Sequence, residues 1–214
     1  MEFISQLAEA YADFYSSPES PELAEINKQT SLTHTKAHML SGKVQGAFLT
    51  FISTLLQPTY ILEIGTFTGY SALCMAKGLA PDGMLHTIEI RPEDAATAAA
   101  NFSKSNQNKQ VTLHVGNALE IIESLPFQWD LVFIDADKTA YIDYYEKLVP
   151  RLSERGIILA DNVLFHGQVL ENPVTGKNAK AIQAFNEHVQ QDPRTEQVLL
   201  TIRDGISFIK KKSV

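Results

Sequence analysis

The chain has 214 residues, 44% of them hydrophobic, with a formal net charge of −7 and a sequence pI near 5.4. That suits one domain around one core, so a single domain over residues 1–214 is expected. The acidic balance, with Lys210-Lys211-Lys212 as its basic cluster, argues against a nucleic-acid partner or an anionic membrane surface.

The lone Cys74 leaves no internal disulfide and fits a reducing, cytoplasmic setting. No stretch is expected to approach the roughly 20 apolar residues that span a bilayer. Helices come first, at about residues 2–15, 20–30 and 41–57. In the third, Phe48, Leu49, Phe51, Ile52, Leu55 and Leu56 recur at helical spacing, which predicts a core-facing side. From residue 60 onward, strands at about 60–64, 84–89, 111–115, 130–134 and 156–160 alternate with helices at about 70–80, 92–106, 117–124 and 138–151. Runs such as Leu131-Val132-Phe133-Ile134 are apolar at consecutive positions, as strands covered on both faces are. Repeated strand–helix units give parallel pairing with right-handed crossovers. After a helix at 178–190, strand-like runs at 197–202 and 206–210 flank Arg203-Asp204-Gly205, a hairpin signal. The expected fold is α/β. It is a Rossmann-like, seven-stranded, mostly parallel sheet with an antiparallel C-terminal hairpin, flanked by helices and preceded by the helices of residues 1–57.

Ligands of such sheets gather at the carboxyl ends of the strands. The first strand runs into Gly65-Thr66-Phe67-Thr68-Gly69 and a helix start, whose free amides suit an anionic group. Glu63 is unusual, a carboxylate near the end of a hydrophobic strand that needs a cation or donor as partner. A pyrophosphate site has no use for that acid, whereas a cofactor carrying an ammonium and a sulfonium does, which points to S-adenosylmethionine. The G-x-G-x-x-G fingerprint of a dinucleotide dehydrogenase is absent. Phe67 is placed to lie against the sulfonium as a cation–π partner. Glu89 ends the second strand, where a carboxylate can accept both hydroxyls of a ribose. Gly116-Asn117-Ala118 offers a small-residue turn for a flat ring. The fourth and fifth strands end in Asp135 and in Asp161-Asn162. On adjacent strand tips these give three oxygen ligands for Mg²⁺, Mn²⁺ or Ca²⁺. A nearby cation should lower the pKa of Lys138, suiting it to accept a proton. Asp137, Lys138, Tyr144 and His166 are the residues expected to face a substrate, and Tyr141, Tyr144 and Tyr145 share one face of the following helix.

Seven motifs in order carry a resemblance: MLSGKVQGAFL (39–49), LEIGTFTGYSAL (62–73), TIEI (87–90), GNALE (116–120), FIDADK (133–138), LADNV (159–163) and DGI (204–206). Together they resemble the cation-dependent class I O-methyltransferases that include the caffeoyl-CoA and catechol enzymes. The resemblance implies that Glu63, Gly65, Thr66 and Ser71 hold the methionine part of S-adenosylmethionine. It places Ser41 and Asp135 against the same cofactor, Glu89 on the ribose and Ala118 by the adenine. Asp135, Asp161 and Asn162 correspond to the metal ligands, and Lys138 to the lysine proposed as base. It also implies a homodimer. The segment 165–177 is short, and Phe165 and His166 replace a frequent tryptophan and asparagine, which favours a small catechol over a CoA thioester. The alternatives are a caffeoyl-CoA-like thioester as acceptor and a cofactor-binding protein without catalysis.

Overall fold

Short apolar runs become strands here, and proline or polar turns set where the helices begin and end. The computed structural model describes residues 5–212, which fall into two units, Leu7–Leu125 and the chain from Pro126 onward. The first unit holds α1 (Gln6–Tyr15), α2 (Pro21–Thr33), α3 (Gly42–Leu56), β1 (Tyr60–Ile64), α4 (Tyr70–Ala76), β2 (Met84–Glu89), α5 (Pro92–Phe102), β3 (Val111–Val115) and α6 (Ala118–Ser124). Pro21 and Pro92 open their helices, where a missing N–H costs nothing. The predicted start of the first helix at residue 2 lies outside the described residues. The helix predicted over 92–106 stops at Phe102 because Ser105 turns its hydroxyl back onto the Gln107 amide at 3.1 Å, competing with helical bonding.

In this unit β2 pairs in parallel with both β1 and β3. Glu63 lies opposite Thr87, and Glu89 opposite Val115. Gly65 N–H donates to Ile88 O and Gly116 N–H to Glu89 O, both at 2.9 Å, so the three carboxyl ends finish level with one another.

Two expectations about α3 are corrected. Its inward face is Gln45, Gly46, Leu49 and Ser53, and of the predicted apolar set only Leu49 is buried. Phe51 and Leu55 are 61% and 75% exposed. The reason lies in close packing on α4: a Cβ on Gly46 would come within 2.7 Å of the Tyr70 ring, and Ser53 donates to Met75 O at 2.5 Å. Small and hydrogen-bonding residues therefore occupy the contact, and the bulky ones turn outward. The span Ala37–Leu56 is 20 residues long and holds an 18-residue window of mean hydropathy 1.2, enough to cross a membrane by length and composition alone, contrary to expectation.

On β2 the buried His86 ring stacks against His114, with Nδ1 to Nε2 at 3.0 Å. Burial, then the neighbouring His114, pushes the His86 pKa down to about 4, and burial lowers that of His114. The unfolded chain takes up these protons near pH 6.5 and the folded chain resists them. Stability is therefore complete above pH 6.5 and falls as pH drops toward 4. Unfolding free energies from urea titrations at pH 7.5 and 5 should differ by on the order of 1 kcal/mol more in the parent than in His86→Gln. Identical pH dependence in the two proteins would refute this.

The second unit holds β4 (Trp129–Ile134), α7 (Tyr141–Leu148), β5 (Leu152–Asp161), α8 (Lys177–Gln191), β6 (Thr195–Leu200) and β7 (Ile206–Lys211). The helix predicted over 138–151 is three pieces, with 3₁₀ turns at Lys138–Ala140 and Val149–Arg151 around α7. Pro150 cannot continue the α-helical ladder. β5 begins earlier than predicted, because Leu152 already pairs with Trp129. β4 and β5 are parallel, with Ile134 opposite Ala160. Asp135 and Asp161, each one residue further on, thus leave neighbouring strand tips. β7 runs antiparallel between β5 and β6, which is the predicted hairpin.

Candidate active site

In the first unit the β1–α4 turn is built on left-handed residues: Gly65 (φ 102°), Phe67 (φ 50°) and Gly69 (φ 87°). A side chain at Gly69 would meet the Phe102 ring at 2.5 Å. Glu63 is fully buried and hydroxyls meet both its oxygens: Ser71 Oγ donates to Oε1 at 2.6 Å and Thr87 Oγ1 to Oε2 at 2.5 Å. Thr66 Oγ1 stands 2.5 Å from Thr87 Oγ1. The predicted methionine-side residues Glu63, Thr66 and Ser71 therefore form one network, with Thr87 as a member that the sequence reading passed over. Its signal was the TIEI motif on the strand beside Glu63.

Glu89 is buried and accepts from two backbone amides, Phe67 N at 2.8 Å and Arg91 N at 3.0 Å. A carboxylate has about four acceptor positions, so capacity for ribose hydroxyls remains. Phe67 packs edge-on against His34 at 4.6 Å, with the Arg91 guanidinium 5.8 Å from its ring centre. A cation on the Phe67 ring is thus already supplied by Arg91. Ser41 and Ala118 are buried. Asn117 caps α6 through its side chain, accepting from Leu119 N at 2.9 Å, which leaves Ala118 as the first helical residue.

In the second unit Lys138 Nζ sits among three oxygens, Asp135 Oδ1, Asn162 Oδ1 and the Tyr141 hydroxyl, each at 2.8 Å. All three of its N–H donors are used. Burial works against the ammonium, but the Asp135 carboxylate and then Tyr141 outweigh it, and the net shift is upward. The expected lowering of its pKa is reversed here, because the nearest charge is a carboxylate and not a cation. Tyr141 also reaches Asp161 O at 3.0 Å and Ile134 O at 3.2 Å, fastening the tips of β5 and β4 to the lysine. Tyr141 is fully buried, on the helix face expected for it, and its contact with the lysine has one signal in the sequence, a place three residues after Lys138, one helical turn on.

Asp135 Oδ1 and Asn162 Oδ1 thus converge on one cationic atom. Asp161 is buried and turns Oδ1 to the Asn162 amide at 2.8 Å. Among the described residues no three His, Cys, Asp or Glu side chains cluster as metal ligands. The set is two carboxylates and an amide, which suits a hard divalent cation and not zinc. The oxygens present fit such an ion.

Of the residues expected to face a substrate, Asp137 also has a structural part. Its exposed carboxylate caps the turn at Lys138, accepting from Thr139 N at 3.2 Å and Thr139 Oγ1 at 2.7 Å. Tyr144 is buried, and burial raises its pKa. The His166 side chain is 74% exposed. Asn162 (φ 58°), Phe165 (φ 45°) and His166 (φ 52°) are all left-handed. Phe and His in that region cost on the order of 1 kcal/mol or more each, so something nearby must hold this loop.

The O-methyltransferase family model matches residues 13–212. The chain is 36% identical over 163 residues to the catechol O-methyltransferase of Niastella koreensis, covering 73% of this chain and 72% of that one. It is 32% identical over 207 residues to a probable caffeoyl-CoA O-methyltransferase of Dictyostelium discoideum, covering 92% and 90%. Among solved structures, the SAH-bound methyltransferase of Podospora anserina superposes with a TM-score of 0.89 at 30% identity, over 96% of this chain and 94% of that one. The Bacillus cereus O-methyltransferase in complex with SAH gives 0.88 at 27% identity, over 96% and 97%. The seven-stranded, mostly parallel Rossmann-like fold with its C-terminal antiparallel hairpin is therefore the fold of this chain. The chain belongs to the class I O-methyltransferase family that includes the catechol and caffeoyl-CoA enzymes, and it is an S-adenosylmethionine-dependent O-methyltransferase.

Proposed function

We propose that the protein methylates one hydroxyl of a small vicinal diphenol, with a divalent cation (Mg²⁺ first, Mn²⁺ or Ca²⁺ as alternatives). The observation that carries this reading is the convergence of Asp135 Oδ1 and Asn162 Oδ1 on Lys138 Nζ at 2.8 Å, two strand-tip oxygens holding one positive charge. Asp135, Asp161 and Asn162 would hold the metal. When bound, the cofactor supplies an electrophilic methyl on sulfur, and the cation lowers the pKa of the diphenol oxygen it touches. Glu63, Gly65, Thr66, Phe67 and Ser71 take the methionine end of the cofactor, Ser41 and Asp135 contact it as well, Glu89 takes the ribose and Ala118 lies by the adenine. With a cation bound beside it the pKa of Lys138 would fall, and its neutral amine would then receive the proton of the reacting hydroxyl. Asp137, Tyr144 and His166 bound the acceptor. Holding donor and acceptor in line supplies most of the acceleration.

The caffeoyl-CoA names among the relatives favour a thioester as the second reading, and the short segment 165–177 favours the small diphenol. Mass spectrometry of reactions containing S-adenosylmethionine, Mg²⁺ and either catechol or caffeoyl-CoA tests this, with and without EDTA. Methylated catechol, lost with EDTA, is the expected result. Methylation that survives EDTA contradicts the metal reading, and activity confined to the thioester contradicts the acceptor.

We also propose a homodimer, in a reducing cytoplasm where the buried Cys74 thiol persists. The outward apolar residues of α3, with Leu7, Tyr11 and Phe14 of α1, form the surface that a second copy would cover. Gln45 and Ser53, packed inward on protein, make α3 part of this fold and not a lipid-facing span. A nucleic-acid acceptor does not suit a chain of net charge −7. Sedimentation should give twice the 23.7 kDa chain mass, and Phe51→Glu should halve it; a monomeric parent would remove the proposal. Cell fractionation tests the compartment, and recovery in a membrane or secreted fraction counts against it.

A further inference from the structure

The DGI motif at 204–206 does more than close a hairpin. The loop that leaves β5 carries Asn162, whose side chain meets Lys138 at 2.8 Å, and then Phe165 and His166. That loop is held from α8, where Asn186 Nδ2 donates to Val163 O at 2.8 Å, and by three hydrogen bonds to the 203–205 turn. Val163 N–H donates to Gly205 O at 3.1 Å and Leu164 N–H to Asp204 O at 2.9 Å. His166 N–H donates to the Asp204 carboxylate, Oδ1, at 2.6 Å. Asp204 Oδ2 is buried and faces His166 Nδ1 at 3.5 Å. Gly205 (φ 82°) lies so close to Leu164 that a Cβ there would be 2.7 Å from its Cγ. The turn is itself bent for the purpose, since Arg203 is left-handed (φ 47°).

Bulky residues in the left-handed region revert to other conformations unless their backbone groups are engaged. Of the two bulky left-handed residues, Phe165 gives its amide to Asn162 O at 3.1 Å, while the His166 amide is engaged by a side chain, and that side chain is a carboxylate, the stronger kind of acceptor. We infer that Asp204 is a positioning residue: by holding the His166 amide it keeps the 162–167 loop in its left-handed course, and so fixes Asn162 and the Phe165 and His166 rings at the acceptor. This rests on the proposed acceptor site for its catalytic consequence, though not for its conformational one.

The test compares Asp204→Ala with Asp204→Asn, whose side-chain oxygen still accepts from the amide. By hydrogen exchange and mass spectrometry, peptides spanning 163–167 should exchange at least about tenfold faster in Asp204→Ala and within about threefold of the parent in Asp204→Asn. With catechol, S-adenosylmethionine and Mg²⁺, Asp204→Ala should raise the catechol KM about tenfold while the cofactor KM stays within about twofold. Asp204→Asn should restore most of the difference. A generally loosened fold would raise exchange in both units and move both KM values together, which would overturn the inference. Unchanged exchange in Asp204→Ala, or equal losses in the two variants, would overturn it as well. If the parent methylates no catechol, the acceptor reading fails, and the exchange result still decides the role of Asp204.

Discussion

Asp135→Asn is expected to lower kcat for methyl transfer by about 10³-fold, the middle of the range for disabling a proton-transfer group, here Lys138. Asparagine keeps the shape and one oxygen of Asp135 but removes the charge on which Lys138 Nζ rests at 2.8 Å. It also takes one of two carboxylates from the set proposed to hold the cation. Without that carboxylate the burial that opposes the Lys138 ammonium is less well answered, so the lysine, Asn162 and Tyr141 lose their common arrangement. Cofactor affinity should change by less than about tenfold, because Asp135 is one of several residues proposed to hold the cofactor and the hydrogen bonds of Glu63, Ser71 and Glu89 do not involve it. Single-turnover rates with catechol and calorimetry with the cofactor separate the two effects. A variant with parental kcat would show that Asp135 is a solvated loop acid.

Glu63→Gln has the second large expected effect, and it falls on the cofactor instead. Both carboxylate oxygens accept hydroxyl protons, from Ser71 at 2.6 Å and Thr87 at 2.5 Å. A glutamine must turn its NH₂ toward one of them, setting donor against donor inside a buried network. Hydrogen bonds to a charged group contribute about 1.5–3 kcal/mol, so cofactor affinity should fall about 30-fold. Thermal midpoint should drop by a few degrees, since 1 kcal/mol moves a chain of this size by about 2–4 °C. Catechol KM at saturating cofactor should stay within about threefold. Calorimetry and thermal scans check this. Unchanged cofactor affinity would mean that Glu63 serves only to tie β1 to α4 and β2.

Much of this was legible in the sequence, and the exceptions share a cause. Strand tips are readable because a polar residue ending an apolar run, as at Asp135 or Asp161-Asn162, stands out locally. The oxygens of Asp135 and Asn162 do meet, as their place on neighbouring tips implied. What was hidden depended on partners distant in the chain. Thr87 matters through its register with Glu63, Tyr141 through two carbonyls on different strands, and Asp204 through an amide 38 residues away. The α3 error had the opposite origin. Its periodicity was real, but the helix packs so closely on α4 that glycine and serine take the inner face. Periodicity shows that a helix has two faces and does not say which one the core receives. The cap that Asp137 makes with Thr139 was equally hidden, since an acid two residues before a threonine shows it only once the turn is formed.

The central claim is that the tips of β4 and β5 hold one divalent cation. Electron paramagnetic resonance of Mn²⁺ titrated into the protein with SAH and catechol measures this directly. One Mn²⁺ bound per chain in the parent, lost in Asp161→Ala with cofactor affinity retained, is the predicted result. Equal Mn²⁺ binding by the parent and Asp161→Ala would contradict it.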